Sequence, residues 1–362
     1  MKPGTSVLLD AVRFCSALGV FASHCLLPWF SNVGPIPHLH TAAHACVMIF
    51  FVLSGYVVTY TTIGRRRTWV QYCAARLARL YSVVVPAILL TAFLWALGRH
   101  LAPAHYANFD RSHEILRLAL TTFFQNEFWF WSSAPPTNLP FWSLAYEFAY
   151  YALFGLAVFV RRPVWRIVAL VGMALICGPK VLLLFPVWLA GVAAYVATEN
   201  ISLTRLQAAL GAVVLIALCI AGLPRIPFPL ETFGLPPLFY SALFAHDCVL
   251  GAVFAAIIFL ADQLLGNITV PQLFARAIKV GAGFTFSLYL LHMPLLVFTA
   301  GVFHYDKTSP RSVARAGFYV LLVTLAIGYW FERRDLLKAI ADRIEALILR
   351  CTRRRELASA EN

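Results

Sequence analysis

Long apolar segments follow one another along almost the whole chain, each separated from the next by a short polar or basic stretch. A helix of roughly 20 apolar residues is long enough to cross the hydrocarbon core of a membrane. The pattern predicts ten such spans, at about 7–30, 45–63, 80–97, 142–160, 164–178, 181–198, 206–223, 241–263, 282–303 and 313–331. We therefore expect an all-α bundle of transmembrane helices over 1–332 and a basic amphipathic cytoplasmic tail over 333–362.

The segment 115–131 is the ambiguous one. It is rich in Phe and Trp, but Arg117 and the polar residues at 125–127 interrupt it. If it crossed the membrane, every later loop would change sides and the basic tail would lie outside. If it lies along the outer interface or enters as a re-entrant element, most of the 29 Lys and Arg are cytoplasmic, as the positive-inside rule requires. We therefore expect both termini in the cytoplasm.

Composition supports a membrane protein. The chain is 61% hydrophobic and only 12% charged, whereas soluble domains carry about 25% charged residues. A net charge of +13 would suit a nucleic-acid partner, but the excess lies in short loops between apolar spans, so we expect no nucleic acid. The eight cysteines are scattered, and no Cys or His spacing is typical of a metal site.

The first apolar span carries three ionisable residues: Asp10, Arg13 and His24. Arg13 and His24 are eleven positions apart, which places them on nearly the same helical stripe, roughly 16 Å apart along the axis. An ionisable group that faces lipid costs at least about 2.5 kcal/mol, so such groups normally face protein or a wet cavity. The stripe predicts that this helix lines a cavity that crosses much of the membrane.

His24 is the best catalytic candidate, because an imidazole exchanges protons near neutral pH. The alternative is a histidine at a helix end that bonds a carbonyl. Arg13 is too basic to accept a proton, but its planar guanidinium suits phosphate or carboxylate oxygens. Its alternative is a snorkelling arginine paired with Asp10, and both interpretations can hold together.

Glu147 is the third catalytic candidate, since a carboxylate within a span needs a partner on another helix. It could orient a catalytic group, bind acceptor hydroxyls, or simply hold two helices together. His246 and Asp247 are too weak a signal to include. Close helix packing, an aromatic belt or a proline kink would also explain the substrate-binding candidates. These are Asp10, Ser54, Tyr56, Trp142, Ser143, Tyr289 and His292.

Five short motifs resemble one known family. Arg13-x10-His24, opened by Leu9-Asp10, is similar to the signature first helix of the acyltransferase 3 family of membrane acyltransferases. FFVLSGY at 50–56, FWSLAYEF at 141–148 and SLYLLH at 287–292 match in the same order, and the basic stretch 76–81 resembles the family motif after the second span. Ala11 stands where a glycine is common, and Ser82 where a proline usually follows, so that turn is expected to differ here.

The resemblance implies a stand-alone O-acyltransferase of the bacterial inner membrane. It implies an acyl group, usually acetyl, moving from cytoplasmic acyl-CoA as co-substrate to a hydroxyl of an exopolysaccharide, lipopolysaccharide or glycolipid, with no permanently bound cofactor and no metal. His24 would deprotonate the acceptor or transiently carry the acyl group. The rival hypothesis is a transporter or flippase for a lipid-linked substrate, with His24 and Glu147 as a proton relay; such a protein would leave its substrate's mass unchanged.

Overall fold

The computed structural model describes residues 1–34, 39–222, 237–332 and 339–350, and their regular structure is entirely helical. The helices are α1 (Pro3–Cys25), α2 (Leu39–Thr59, continued by a π turn at Tyr60–Gly64), α3 (Trp69–Leu101), α4 (Pro103–Tyr106), α5 (Glu114–Thr122), α6 (Trp142–Phe159), α7 (Pro163–Cys177), α8 (Pro179–Leu183), α9 (Phe185–Asn200), α10 (Arg205–Gly222), α11 (Phe244–Leu265), α12 (Gln272–Gly283), α13 (Thr285–Val302) and α14 (Pro310–Phe331). Residues 339–350 form a further helix, α15.

Among the described residues, eight helical segments are long and apolar enough to cross a membrane. They are Pro3–Cys25, Ala42–Gly64, Trp69–Leu101, Leu139–Phe159, Pro179–Asn200, Phe244–Leu265, Thr285–Val302 and Pro310–Phe331. The other two predicted spans, 164–178 and 206–223, coincide with the apolar helices α7 and α10. The all-helical membrane architecture is confirmed, while the count of ten spans stays a prediction. The segment 115–131 contributes only the short helix α5 and irregular chain.

Helix α3 begins well before the predicted start of the third span at 80. Thr68 and Gln71 form a capping box in which each side chain bonds the other's backbone N–H, both at 3.3 Å, and this fixes the start at Trp69. The basic stretch with Arg76 and Arg79 is therefore helical, and the expected turn at Ser82 is wrong. The Ser82 N–H continues the helix where a proline would have removed it.

Helices α2 and α9 pack closely in the middle of the bundle. A Cβ atom on Gly55 would collide with the backbone carbonyl of Trp188, so glycine is what lets the two backbones touch here. The small residue expected to serve helix packing does so, and its neighbour Ser54 is thereby held at the edge of this contact.

Helix α13 lies among α1, α3 and α14, and most of its residues are buried. Pro294 inside it has no N–H, which leaves the carbonyl of Leu290 without its usual helical donor. Asn138 supplies the missing donor: its Nδ2 lies 2.9 Å from that carbonyl oxygen and 2.9 Å from Thr91 Oγ1. A residue just before α6 thus completes the hydrogen bonding of α13.

The predicted cytoplasmic tail is described only in part. Residues 339–350 are helical, as expected, whereas 333–338 and 351–362 lie outside the described residues. The division between bundle and tail at 332 stays a prediction.

Candidate functional site

A cavity of about 420 Å³ lies within the bundle, and four arginines line it. Arg13 comes from α1, Arg67 from the turn before α3, and Arg76 and Arg79 from α3 itself. Among the described residues that line it, Glu147 is the one carboxylate. The cavity is therefore strongly electropositive, and it suits a ligand with several negative charges.

Local helix geometry explains how the arginines meet. Arg76 and Arg79 are three residues apart, so they share one face of α3. On α1, Nη1 of Arg13 lies 3.9 Å from Oδ1 of Asp10. The pairing of Arg13 with Asp10 expected from their spacing is present, and Arg13 lines the cavity at the same time.

Two of the arginines bury donor atoms with no hydrogen-bond partner within the described part of the chain: Nη1 of Arg67 and Nε of Arg76. Burial, with the positive charges of Arg76 and Arg65, lowers the pKa of Arg67. Arg79, by contrast, donates from Nη1 to Glu332 at 3.0 Å. Buried charged donors are costly unless they are paired, so this part of the cavity is built to receive an anion.

Glu147 has its partner on another helix, as its position in a span requires. Ser54 Oγ on α2 and the Tyr151 hydroxyl on α6 each donate to its Oε1 at 2.6 Å. Trp188 Nε1 in turn donates to Ser54 Oγ at 3.3 Å, and the Arg76 guanidinium lies 5.6 Å from the centre of the Tyr151 ring. This network fixes one negative charge in the arginine-lined wall.

Ser143 and Tyr289 line the same cavity and are hydrogen-bonded to each other at 2.9 Å. One helical turn beyond Tyr289 on α13 stands His292, and the centres of their two rings are 6.5 Å apart. Tyr289 therefore contacts the cavity on one side and approaches the histidine on the other.

His24 and His292 form a direct pair. Nδ1 of His24 lies 2.7 Å from Nε2 of His292, and the two rings lie edge to edge and nearly coplanar, with centres 5.0 Å apart and planes inclined by 13°. Nδ1 of His292 lies 2.7 Å from the carbonyl oxygen of Leu288. A carbonyl only accepts, so this Nδ1 carries the proton, and in a neutral ring the Nε2 of His292 accepts from His24.

The pair consequently fixes the tautomer of His24. With its Nδ1 donating to His292, a neutral His24 has its lone pair on Nε2, the atom suited to take a proton or attack a carbonyl carbon. His24 is not among the residues that line the 420 Å³ cavity. Of the α1 stripe, the cavity therefore contacts Arg13 but not His24. His24 is connected to the cavity wall through His292 and then Tyr289.

Two predicted substrate-binding residues lie elsewhere. Tyr56 is buried between α2 and α9, where its hydroxyl lies 3.3 Å from Thr198 Oγ1 and its ring meets that of Tyr195. Trp142 is stacked on Tyr240 with ring centres 4.2 Å apart and on His44 at 5.9 Å. Neither side chain lines the cavity, and a substrate-binding role for Tyr56 and Trp142 stays a prediction.

Several polar residues in the described chain escaped the sequence prediction. His44 Nε2 lies 2.9 Å from Oδ2 of Asp247, whose side chain is fully buried; the adjacent His246 and Asp247 were the only local hint. Glu332 and Asn138 gave no signal, because the partners of each are more than 40 positions away along the chain.

The sequence is similar to those of known acyltransferases. The sequence model of a family described as an acyltransferase domain matches residues 7–333. An O-acetyl transferase of Shigella phage Sf6 is 28% identical over 163 residues, which cover 41% of this chain and 45% of that protein. Acyltransferase MdmB of Streptomyces mycarofaciens is 28% identical over 193 residues, covering 49% of this chain and 47% of that protein. The chain thus spans about half the length of these curated relatives, and no solved structure matches it.

Proposed function

Because this chain belongs to the acyltransferase 3 family, we propose that it transfers an acyl group from cytoplasmic acyl-CoA to a hydroxyl of a carbohydrate. We place the reaction in the bacterial inner membrane, with a polysaccharide unit or glycolipid as acceptor. The similarity to an O-acetyl transferase and to an acyltransferase supports an oxygen acceptor and favours acetyl as the acyl group.

The arginine-lined cavity is the proposed donor site. The phosphate groups of acyl-CoA are the kind of polyanion that several guanidinium groups bind well, since each presents a planar fork of donors. Arg67 and Arg76 would take up phosphate oxygens with the buried donor atoms that have no partner among the described residues. Arg13, with Asp10 beside it, would hold either a phosphate or the carbonyl oxygen of the acyl group.

The histidine pair is the proposed base. Nε2 of His24 takes the proton of the acceptor hydroxyl as its oxygen attacks the thioester carbon, and a C–O bond forms. The C–S bond then breaks, and the leaving thiolate of CoA receives that proton from His24. His292 accepts a hydrogen bond from Nδ1 of His24 throughout, which stabilises the positive charge that the ring carries between the two proton transfers.

One observation carries this proposal: the hydrogen-bonded pair of His24 and His292 adjoins Tyr289, a residue that lines the arginine-rich cavity. Tyr289 and Ser143 form this part of the cavity wall. In this arrangement the charged part of the donor rests among the arginines, while its acyl end extends past Tyr289 to His24. Glu147 would hold acceptor hydroxyls or balance the charge of the arginines.

The direct test is mass spectrometry of surface glycans from a strain that lacks the gene. That strain is complemented with wild type, Arg13→Ala or His24→Ala, and the amount of each protein in the membrane is measured. We expect an acyl mass increment that wild type restores and neither variant does. Full transfer by His24→Ala would make the base assignment wrong. Unchanged acylation with less glycan at the surface would favour the transporter instead.

A further inference from the structure

Glu332, at the end of α14, is a buried carboxylate that uses both of its oxygens. Its side chain is only 2% exposed. Oε2 accepts a hydrogen bond from Arg79 Nη1 at 3.0 Å, and Oε1 accepts one from the backbone N–H of Ser287 at 2.5 Å. Two parts of the molecule that are far apart in sequence therefore meet at one acidic side chain. We call its two hydrogen bonds the Arg79 arm and the Ser287 arm.

The Arg79 arm reaches the proposed donor site. Arg79 lines the arginine-rich cavity, and its guanidinium lies 5.0 Å from the centre of the Phe286 ring. A long arginine side chain has many rotamers, and holding it in one of them costs entropy. Glu332 and the aromatic face together fix where the guanidinium points, so the cavity keeps its shape without a ligand.

The Ser287 arm reaches the histidine helix. Ser287 is the third residue of α13, so its N–H is one of those that have no partner within the helix. A carboxylate there also complements the positive end of the helix dipole. Tyr289 and His292 follow on the same helix. The contact that holds Arg79 thus also holds the start of the helix that carries His292.

Gly328 explains how α14 comes so close. It lies one turn before Glu332, and a Cβ atom at this position would be 2.7 Å from Cβ of Ser287. Any larger residue would push α14 away from α13 and withdraw Glu332 from the Ser287 N–H. Glycine and glutamate, one turn apart, form a single docking contact.

We propose that Glu332 is a positioning residue for acyl transfer, which holds Arg79 in the donor cavity and the amino end of α13 in register with it. The proposal rests on the proposed function. Glu332 touches neither substrate. It fixes the position of Arg79, in the donor cavity, relative to α13, the helix that carries His292. Its two arms should therefore separate in kinetics, one acting on donor binding and the other on turnover.

Two variants distinguish the arms. In Glu332→Gln the amide oxygen still accepts from Ser287, but the amide NH₂ faces Arg79 donor to donor. We expect this variant to raise the KM for acetyl-CoA about tenfold and to keep kcat within about twofold. Glu332→Ala loses both arms, and we expect it to raise KM similarly and to lower kcat as well. Glu199→Gln, the same change at an exposed glutamate near the end of α9, is the matched control.

The measurement uses the full chain in native membranes, with transfer of labelled acetyl from acetyl-CoA to the membrane glycan, normalised to the amount of protein. In parallel, CoA is added to the purified protein and the shift in melting temperature is recorded. An unchanged KM and an unchanged CoA shift in Glu332→Gln would overturn the proposal, as would a loss of kcat alone in both variants. If Glu332→Ala does not accumulate, Glu332→Gln decides. Absence of acetyl transfer by wild type would instead reject the proposed function.

Discussion

The Nδ1 atom of His24 lies 2.7 Å from the Nε2 atom of His292, which joins the first helix of the bundle to the thirteenth. His292 is itself anchored by the Leu288 carbonyl. The backbone of α13 therefore determines which nitrogen of His24 carries its proton. The orientation and the tautomer of His24 therefore depend on His292.

Replacing His292 should impair turnover without affecting donor binding. We expect His292→Ala to lower kcat by about 100-fold or more, because general base catalysis contributes roughly 10²–10⁴ and depends on the correct tautomer. The KM for acetyl-CoA should stay within about twofold, since His292 does not line the donor cavity. Initial rates of acetyl transfer at saturating donor measure the effect, with the exposed His100→Ala as control. A variant with more than half of the wild-type kcat would contradict the role of the pair.

Arg67 and Arg76 should govern donor affinity. Each buries a guanidinium donor that has no partner in the described part of the protein. We therefore expect Arg67→Gln and Arg76→Gln each to raise the KM for acetyl-CoA about tenfold, with a small change in kcat. The wild-type KM should also rise with salt, because screening weakens these contacts. Arg161→Gln, on an exposed loop, is the control. If both variants bind donor normally, the cavity is not the phosphate site.

The charge of Glu147 should oppose the donor. Glu147→Gln keeps an acceptor for Ser54 and Tyr151 but removes the negative charge from the arginine-lined wall. We expect the KM for acetyl-CoA to fall about fivefold, since a carboxylate repels a nearby phosphate by roughly 1 kcal/mol in a well-solvated site. Binding of CoA to the purified protein provides a second reading. Weaker donor binding by this variant would mean that Glu147 contacts the donor favourably.

Asn138 should stabilise the fold through Leu290. We expect Asn138→Ala to lower the free energy of unfolding by about 1–3 kcal/mol, the usual cost of leaving a buried polar group unpaired. In a Pro294→Ala background the new N–H can serve the Leu290 carbonyl, so the cost of Asn138→Ala should shrink by about 1 kcal/mol. Unfolding in mixed micelles of the four proteins in this cycle measures the coupling. Additive effects would show that Asn138 does not compensate for Pro294.

The features predicted from sequence are those that depend on near neighbours along the chain. Each of the ten apolar segments coincides with a helix, because the length and hydrophobicity of a segment are enough to specify it. The contact of Asp10 with Arg13 followed from their spacing of three. The start of α3 did not follow from hydropathy, since the Thr68–Gln71 capping box, and not an apolar residue, determines it.

The features that sequence could not supply are contacts between distant segments. The contacts of Tyr56 with Tyr195 and of Trp142 with Tyr240 join segments that are distant along the chain. The pairing of His24 with His292 depends on how α1 and α13 are rotated against each other, and the pattern of a single helix does not contain that rotation. Glu332 has the same origin: its two donors come from α3 and α13, and only the fold brings both of them to the end of α14.

The bond from Asn138 to Leu290 also bears on how the protein is made. A ribosome releases Asn138 long before α13 emerges, so the donor that α13 needs is already present when the last third of the chain inserts. In lipid an unpaired carbonyl costs several kcal/mol, which penalises α13 until it docks beside Asn138. That same docking brings His292 to His24. The packed position that satisfies the Leu290 carbonyl is therefore also the one in which the histidine pair forms, so an α13 displaced from Asn138 loses both contacts.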